Sequence, residues 1–303
     1  MTKGPLFSVL CTNYNNAAHI PAMVQSLMKQ TYSNWELLFV DDASTDNSLS
    51  VIREFTDPRI RIESTSINLG AGGAAKKAAS MTKGVIAGRL DADDALEPQA
   101  LQCMVNAHRQ HPSTSLITSQ IIACTPDLQE SKVPWHVNEP VPIDSFILAH
   151  PTVGAFATFK TSHLKKTEGF DSSLQRAVDL DIYLKLEEVG EVLTLSERLY
   201  RYRANPNGIS QGENGTLAKA SAYKVMVTAY HRRKAAGFKN NISRSEARNI
   251  RIRQHQIDLH HTQTGWSSLH SLLSTAILFP ELIAYPIVWR NTLSSILRGN
   301  KTR

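Results

Sequence analysis

The sequence of 303 residues predicts an α/β fold: a mainly parallel sheet flanked by helices, followed by a C-terminal helical extension. Three observations support this prediction. Short apolar segments in the first half alternate with segments whose apolar residues recur at helical spacing, which indicates right-handed βαβ units. Polar clusters follow several apolar segments, as expected at the carboxyl ends of parallel strands. From about residue 214 onward, the pattern is helical without a clear strand.

Short apolar or alternating segments predict the strands of the first part, at 6–11, 35–42, 59–64, 85–90 and 115–124. Helical spacing, cap residues or alanine-rich composition predict the helices, at 19–30, 44–55, 72–84 and 98–111. Pro98 is expected at the first position of the last of these helices. Further along, we predict loop with short strands, an amphipathic helix and an extended segment, at 125–160, 179–190 and 191–203.

Charge divides the chain into two parts. Residues 1–199 hold 17 Lys and Arg against 23 Asp and Glu, whereas residues 200–303 hold 16 against 4, a net charge of +12. This change and the helical pattern predict two domains, 1–210 and a basic helical region at 211–303. A strongly basic part favours an anionic partner, such as a membrane surface, a nucleic acid or a phosphorylated substrate.

The cysteines and the apolar segments indicate the cellular compartment of the protein. Cys11, Cys103 and Cys124 are few and widely spaced, which favours a reducing environment over a disulfide framework. The N-terminal segment lacks the apolar core of a signal peptide. The most apolar run, 276–289, contains Glu281 and two prolines and is too short to span a bilayer. We therefore predict a cytoplasmic protein that could attach peripherally to the inner face of the cell membrane.

The stretch RLDADDAL, residues 89–96, places three aspartates within four positions after an apolar strand. Carboxylates at alternate positions, here Asp91 and Asp93, can bracket one divalent cation, whose open positions would take phosphate oxygens. An acidic loop stabilised by the following helix dipole is the alternative, and it accounts for Asp94 and Glu97. It does not explain an aspartate at the end of an apolar strand, so the cluster predicts a cation site.

A second acidic stretch, FVDDASTD, follows another predicted strand and delivers Asp41 and Asp42 to the same edge of the sheet. A carboxylate there can accept hydrogen bonds from a base N–H or a ribose hydroxyl. The alternative is helix capping, which Ser44, Thr45 or Asp46 could supply without any need for two adjacent aspartates. We therefore predict a ligand role for the aspartates and capping by residues 44–46.

Two further motifs are ambiguous on their own. The glycines of NLGAGGAAKK, 68–77, follow the third strand rather than the first, so they are a weak dinucleotide signal. A tight turn or a close backbone approach suffices to explain them. Asp179 and Asp181 open a predicted helix, where pairing with the helix dipole is the commoner role of an acidic residue.

Together these stretches resemble the inverting family 2 glycosyltransferases of bacterial type, which have the GT-A fold. The family's motifs appear in order and at about the family's spacing over residues 5–210, as FSVLCTNYNNAAHI, WELLFVDDASTDNS, NLGAGGAAKKA, RLDADDAL and GFDSSLQRAVDLDIYLKL. The resemblance implies a nucleotide-sugar donor, with a UDP-sugar expected, and a divalent cation, Mn²⁺ or Mg²⁺. It also implies a glycan or lipid-linked acceptor in surface polysaccharide or lipopolysaccharide biosynthesis. No nucleic acid partner is expected.

The resemblance also assigns the nucleotide-binding residues. Thr12 and Tyr14 would line the nucleoside pocket, and Asp42 would contact the base. Arg203 and Ser210 stand where the family often holds the donor phosphates.

The same resemblance assigns the metal ligands and the catalytic base. Asp91 and Asp93 would form the D-x-D pair, with Asp93 nearest the metal and the diphosphate. Asp179 would accept the proton from the acceptor hydroxyl, which gives a product of inverted configuration. The chain departs from the family at two positions: Val178 replaces the usual Glu, and Asn205 stands where many members have a metal-reaching His.

The sequence leaves a non-catalytic alternative open and counts against an alternative enzyme. A protein with this fold that binds a sugar nucleotide or carbohydrate without turnover would also fit Val178 and Asn205. A nucleotidyltransferase would require a basic, glycine-rich loop after the first strand, and CTNYNNAAH contains neither glycine nor a basic residue. For the basic C-terminal region, peripheral contact with an anionic membrane and packing as a helical subdomain fit the pattern equally well.

Overall fold

The computed structural model describes residues 4–132, 147, 154–206, 208–211, 214–238, 247–250 and 252. The chain divides into two compact units, Met1–Pro206 and Asn207–Arg303. The first unit contains every described strand. The second unit is represented by one long helix and a few flanking residues.

The first unit is built on one eight-stranded sheet with the order β3-β2-β1-β4-β7-β6-β8-β5. Its strands are β1 (Phe7–Asn13), β2 (Trp35–Asp41), β3 (Ile60–Ser64), β4 (Ile86–Arg89), β5 (Ala95–Leu96), β6 (Thr114–Cys124), β7 (Ala157–Lys160) and β8 (Glu191–Arg203). The pairs β3–β2, β2–β1, β1–β4 and β6–β8 are parallel. The short strands β5 and β7 pair antiparallel with their neighbours. The predicted α/β class with a mainly parallel sheet is confirmed, although β5 was not predicted.

The described residues of the first unit form six helices: α1 (Ile20–Met28), α2 (Ser48–Arg53), α3 (Gly70–Ser80), α4 (Ala100–Gln110), α5 (Thr161–Leu164) and α6 (Val178–Glu187). All of the helices predicted in this unit are present, and the short α5 was not predicted. The prediction for Pro98 is wrong, because α4 begins at Ala100 and Pro98 lies in the preceding turn.

Both faces of the central strands are covered. All seven residues of β2 are buried, as expected where helices pack on each side of a parallel sheet. Phe156, just before β7, stacks on Phe7 and on Tyr200, with ring centroids 6.2 and 6.1 Å apart. These rings join β1 to β8 through the core, and they fix β8 where its end can reach the loop after β4.

The described part of the second unit is mainly α7 (Gly215–Ala235), a helix of 21 residues. Its last turn carries Arg232, Arg233 and Lys234. Within the described part of the chain, none of the helices is both long and apolar enough to cross a membrane. The C-terminal apolar run at 276–289 lies outside the described residues.

Candidate active site

The predicted polar clusters meet at one edge of the sheet. Strands β2, β1 and β4 are adjacent and parallel, so the loops that follow them leave from the same edge. Asn13, the last residue of β1, donates a hydrogen bond of 2.8 Å to Oδ1 of Asp41 on β2. Thr12 is half-buried on β1, and Tyr14 is 49% exposed just beyond the strand. The expectation that these clusters share one rim is confirmed.

The loop after β2 is tied mainly to the loop after β1. The Asn15 amide donates to the Ser44 hydroxyl at 3.0 Å, and the Thr45 amide donates to Asn15 Oδ1 at 2.8 Å. Only Asp46 bonds to α2, where it accepts the backbone N–H of the helix's first residue at 2.9 Å. The capping prediction for residues 44–46 is therefore wrong, because Asn47 is the N-cap residue of α2, and Asp46 also accepts the backbone N–H of Ala17 in the loop after β1 at 3.0 Å.

Asp42 lies at the start of α3. Its carboxylate is 3% exposed and accepts the backbone N–H groups of Leu69 and Gly70, both at 2.8 Å. The Thr65 hydroxyl donates a third bond at 3.1 Å. A carboxylate at a helix N-terminus satisfies donors that the helix leaves unpaired. Asp42 therefore fixes the loop beside the predicted nucleoside pocket, and its contact with a base stays a prediction.

Three loops that carry predicted site residues contain a non-glycine residue with a left-handed backbone. The residues are Asn15, Ala43 and Ala177, with φ of 57, 58 and 57°. This conformation is unfavourable for alanine and is retained where surrounding contacts impose it. The three turns place side chains of the predicted site at the rim at the cost of local backbone strain.

The three aspartates of the acidic cluster have different partners, and Asp94 is structural. It is 2% exposed and accepts bonds of 2.7 Å from the Tyr200 hydroxyl and from the backbone N–H of Arg203. Burial, together with the neighbouring carboxylates of Asp93 and Asp91, raises the pKa of Asp94 well above its ordinary value. The alternative explanation by a helix dipole is wrong for this residue, because β8 supplies its partners.

Asp91 and Asp93 point to separate partners. Arg89 donates a bond of 2.9 Å to Oδ1 of Asp91, and Asn205 donates one of 2.7 Å to Oδ2 of Asp93. The described residues contain no group of three or more His, Cys, Asp or Glu arranged to hold a metal ion.

Arg203 connects two loops at the rim. Its side chain is 6% exposed and contacts the backbone carbonyls of Asp93 and Pro126. The guanidinium therefore holds the loop after β4 against the loop after β6, and its predicted role at the donor phosphates stays a prediction. Ser210 is exposed and belongs to the second unit, so its predicted role is likewise untested.

The two acidic residues at the start of α6 differ in exposure. Asp179 is exposed, and its Oδ1 accepts the backbone N–H of Leu180 at 2.9 Å. Asp181 is 5% exposed and forms an ion pair of 2.6 Å with Lys185, which also donates to the Gly169 carbonyl at 3.0 Å. Asp181 thus anchors the loop before the helix, whereas Asp179 remains accessible to a substrate.

The glycines of α3 allow the segment that precedes α6 to lie directly on α3. The Gly72 amide donates to the Leu174 carbonyl at 2.9 Å, and a Cβ on Gly72 would come within 2.1 Å of the Asp171 carbonyl oxygen. Gly70 has φ of +76°, which favours glycine. The interpretation of these glycines as a close backbone approach is confirmed, since the approaching chain is the segment that leads to Asp179.

Sequence reasoning missed the roles of Asn13, Arg89 and Tyr200. Asn13 and Arg89 end buried strands, and a polar residue in that position is a readable sign of a rim contact. Tyr200 carried no such sign, because a tyrosine in the alternating strand LYRYR is ordinary core. Its pairing with Asp94 depends on β8 crossing to the loop after β4, which the local sequence does not encode.

Comparisons with known proteins agree with this architecture. A family model described as glycosyl transferase family 2 matches residues 8–166, just over half of the chain. Chondroitin synthase from Escherichia coli is 31% identical over 228 residues, which are 74% of this chain and 32% of that protein. Hyaluronan synthase from Pasteurella multocida is 31% identical over 228 residues, 74% of this chain and 22% of that protein. The chain thus spans a third or less of the length of these two relatives.

A solved structure matches over nearly the whole chain. The crystal structure of S. aureus TarS 1–349 in complex with UDP-GlcNAc has a TM-score of 0.68 at 18% sequence identity. The match covers 97% of this chain and 88% of that one. At this identity the likeness concerns the fold, which is of the GT-A type.

Proposed function

The chain belongs to glycosyl transferase family 2, and on this basis we propose that it transfers a sugar from a UDP-sugar, with inversion, to a saccharide or lipid-linked acceptor. The product would contribute to a surface polysaccharide or lipopolysaccharide. One observation carries the proposal: the loops after β1, β2 and β4 meet at one rim, and Asp93 on the last of them is bonded to Asn205 beyond β8.

The donor nucleoside is assigned to the edge formed by β1 and β2. The exposed ring of Tyr14 offers a surface for the base, and the half-buried hydroxyl of Thr12 lies on the adjacent strand end. Asp42 holds the neighbouring loop rigid through its bonds to the start of α3. A preorganised pocket of this kind reduces the entropy lost when the donor binds. The TarS complex with UDP-GlcNAc supports the choice of a uridine donor.

The carboxylates of Asp91 and Asp93 form an acidic rim at the edge of the sheet. They fit a divalent cation that is coordinated partly by the protein and partly by substrate oxygens. Two carboxylates, Asp91 and Asp93, are too few to enclose Ca²⁺, but Mg²⁺-type sites commonly use one or two carboxylates plus substrate phosphates. We assign Asp93 and Asp91 as the protein ligands of Mn²⁺ or Mg²⁺. When bound, the ion would offset the negative charge of the leaving diphosphate.

Asp179 is assigned as the general base. It accepts the proton of an acceptor hydroxyl while that oxygen forms a bond to the anomeric carbon on the face opposite the diphosphate. The bond from the anomeric carbon to the phosphate oxygen breaks, and the nucleoside diphosphate leaves with the electron pair. Its exposure and its place at the start of α6 support this role, because the base must reach a hydroxyl that arrives from solvent.

A non-catalytic sugar-nucleotide or carbohydrate-binding protein is the second candidate. Val178 favours it, because this side chain is 4% exposed and supplies no second carboxylate next to Asp179. The two candidates share donor binding and differ only in transfer.

Calorimetry with UDP-, GDP-, CMP- and dTDP-sugars, each with and without Mn²⁺, tests the donor and the cation. We expect UDP-sugars to bind in a Mn²⁺-dependent manner. Binding of none of the nucleotides would contradict the proposal. A radiolabelled donor incubated with acceptor extract then separates the candidates, because donor binding without transfer to any acceptor favours the non-catalytic one.

We further propose that the basic C-terminal region brings the enzyme to an anionic membrane surface, where a lipid-linked acceptor would be available. Each Lys or Arg near such a surface contributes about 1 kcal/mol and is screened by salt. Co-sedimentation with anionic liposomes at low salt and release at high salt would support this role. An absence of sedimentation at low salt would leave packing within the protein as the role of this region.

A further inference from the structure

Arg89 is a cation at the acidic rim of the first unit. Arg89 is the last residue of β4, two positions before Asp91, and its side chain is 18% exposed. Its guanidinium donates a bond of 2.9 Å to Oδ1 of Asp91, which is itself 46% exposed. The sheet fixes the backbone of Arg89, and the Asp91 carboxylate fixes its guanidinium. Arg89 therefore holds Asp91 in one orientation at the mouth of the predicted donor site.

The charge of Asp179, at the start of α6, also acts on this guanidinium. Asp179 and Tyr183 are four residues apart and so lie on one face of this helix. Tyr183 is 3% exposed, so this face of the helix is buried one turn after the exposed Asp179. Burial lowers the pKa of Arg89, but the charge of Asp91, followed by those of Asp179 and Tyr183, raises it overall. The bond to Asp91 keeps this guanidinium at the first carboxylate of the D-x-D pair.

We propose that Arg89 is a positioning residue that occupies Asp91 and offsets its charge, so that a divalent cation depends mainly on Asp93. The inference rests on the function proposed above. While Arg89 is paired with Asp91, the cation meets one carboxylate whose charge is offset and one, Asp93, that among the described residues is bonded only to the neutral amide of Asn205 through its side chain. The affinity of the cation for the site is then limited. The nucleoside diphosphate and the cation can therefore leave together after transfer.

Removal of the guanidinium should shift metal binding and turnover in opposite directions. In Arg89→Gln the freed Asp91 becomes a second strong ligand and a nearby positive charge disappears. Mn²⁺ should then bind more tightly, on the order of tenfold, by Coulomb attraction at the rim. Turnover should fall because Asp91 loses its fixed orientation and the diphosphate complex leaves more slowly. A purely structural role would weaken both properties together.

Calorimetric titration of the full-length protein with MnCl₂, alone and with saturating UDP, tests the proposal. Steady-state kinetics with the UDP-sugar donor provide the second readout. The matched control is Arg61→Gln, since Arg61 pairs with Glu36 at 3.0 Å at the opposite end of the sheet. Arg89→Lys keeps the charge but loses the fork of the guanidinium. We expect its Mn²⁺ affinity to match the wild type and its kcat to fall.

The outcomes separate the two proposals. Tighter Mn²⁺ binding with lower kcat in Arg89→Gln, and no change in Arg61→Gln, supports the role of Arg89. Equal or weaker Mn²⁺ binding in Arg89→Gln overturns it, while UDP-dependent Mn²⁺ binding by the wild type leaves the proposed function intact. If Arg89→Gln fails to fold, wild-type kcat in Arg89→Lys overturns the positioning role. If the wild type binds neither UDP nor Mn²⁺, both proposals fail.

Discussion

A hydrogen bond of 2.7 Å joins the side-chain amide of Asn205 to Oδ2 of Asp93. The two residues are 112 positions apart in the chain, and they meet because β8 crosses to the loop after β4. An amide N–H on a carboxylate oxygen keeps that oxygen oriented without neutralising its charge. The carboxylate assigned to the cation is therefore held in place by a residue at the C-terminal end of the first unit.

Replacement of Asp93 should abolish most of the cation-dependent donor binding. Asp93→Ala removes a hard oxygen ligand and leaves the diphosphate charge uncompensated, so we expect UDP affinity in the presence of Mn²⁺ to fall at least on the order of tenfold. Calorimetry with UDP and Mn²⁺ measures this change. Glu63→Ala is the control, because it removes the same charge from an exposed ion pair on β3. Unchanged donor affinity in Asp93→Ala would refute the assignment.

Amide substitutions at the start of α6 should separate catalysis from stability. Asp179→Asn keeps size but cannot accept the proton, so kcat should fall on the order of 10²–10⁴-fold with donor binding retained. Asp181→Asn breaks the buried pair with Lys185 and should instead lower the free energy of unfolding by about 3 kcal/mol. Kinetics and urea unfolding of both variants test this contrast. Wild-type turnover in Asp179→Asn would place the base elsewhere.

A methyl group on Gly72 should disturb the segment that leads to Asp179. Its Cβ would lie 2.1 Å from the Asp171 carbonyl oxygen and 2.7 Å from that of Leu174, so the segment must move. We expect Gly72→Ala to cost about 1–3 kcal/mol of stability and to reduce kcat. Gly215→Ala serves as the control, since the nearest atom to its Cβ would be 3.7 Å away. Similar thermal stability and turnover in both variants would contradict this account.

Loss of the Tyr200 hydroxyl should destabilise the loop that carries the D-x-D pair. This hydroxyl donates to buried Asp94 at 2.7 Å and accepts the backbone N–H of Asp91 at 3.2 Å. Tyr200→Phe leaves a buried acceptor without one partner, so the unfolding free energy should fall by about 1–3 kcal/mol. Chemical denaturation measures the change. A stability equal to the wild type would show that the bond contributes little to the native state.

The stability of the first unit should fall below neutral pH because of His108. This side chain is 3% exposed, its Nε2 lies 3.0 Å from the Thr158 hydroxyl, and burial, aided by Lys160, lowers its pKa to about 3. The unfolded chain, with a pKa near 6.5, binds a proton that the folded state excludes. The unfolding free energy should thus decline as pH falls from about 6.5 towards 3, by up to about 1.4 kcal/mol per pH unit.

Urea unfolding of the wild type and of His108→Gln at pH 7.5 and 5.5 measures this contribution. The variant should lose less stability between the two pH values than the wild type. An equal loss in both proteins would assign the acid sensitivity to other groups.

Local patterns predicted most of the strands and helices, but not the partners of single side chains. The strand before the acidic cluster was readable because its apolar residues end abruptly at Asp91. The division of labour among the aspartates was not, because Asp94 is paired by β8 and Asp91 by Arg89. The pairing of Asp94 arises from topology, and one sequence carries no local signal for a contact between residues more than 100 positions apart.

The same separation bears on how the protein is made. Asp94 bonds to the Arg203 backbone 109 positions later, so a nascent chain that has emerged only as far as α6 lacks the strand that closes the acidic loop. Until β8 leaves the ribosome, Asp94 lacks both of its partners, whereas Asp91 already has Arg89 beside it in the chain. Maturation of the site is therefore a late event in synthesis, and a chain truncated before residue 200 would retain β1 to β4 without an ordered cluster.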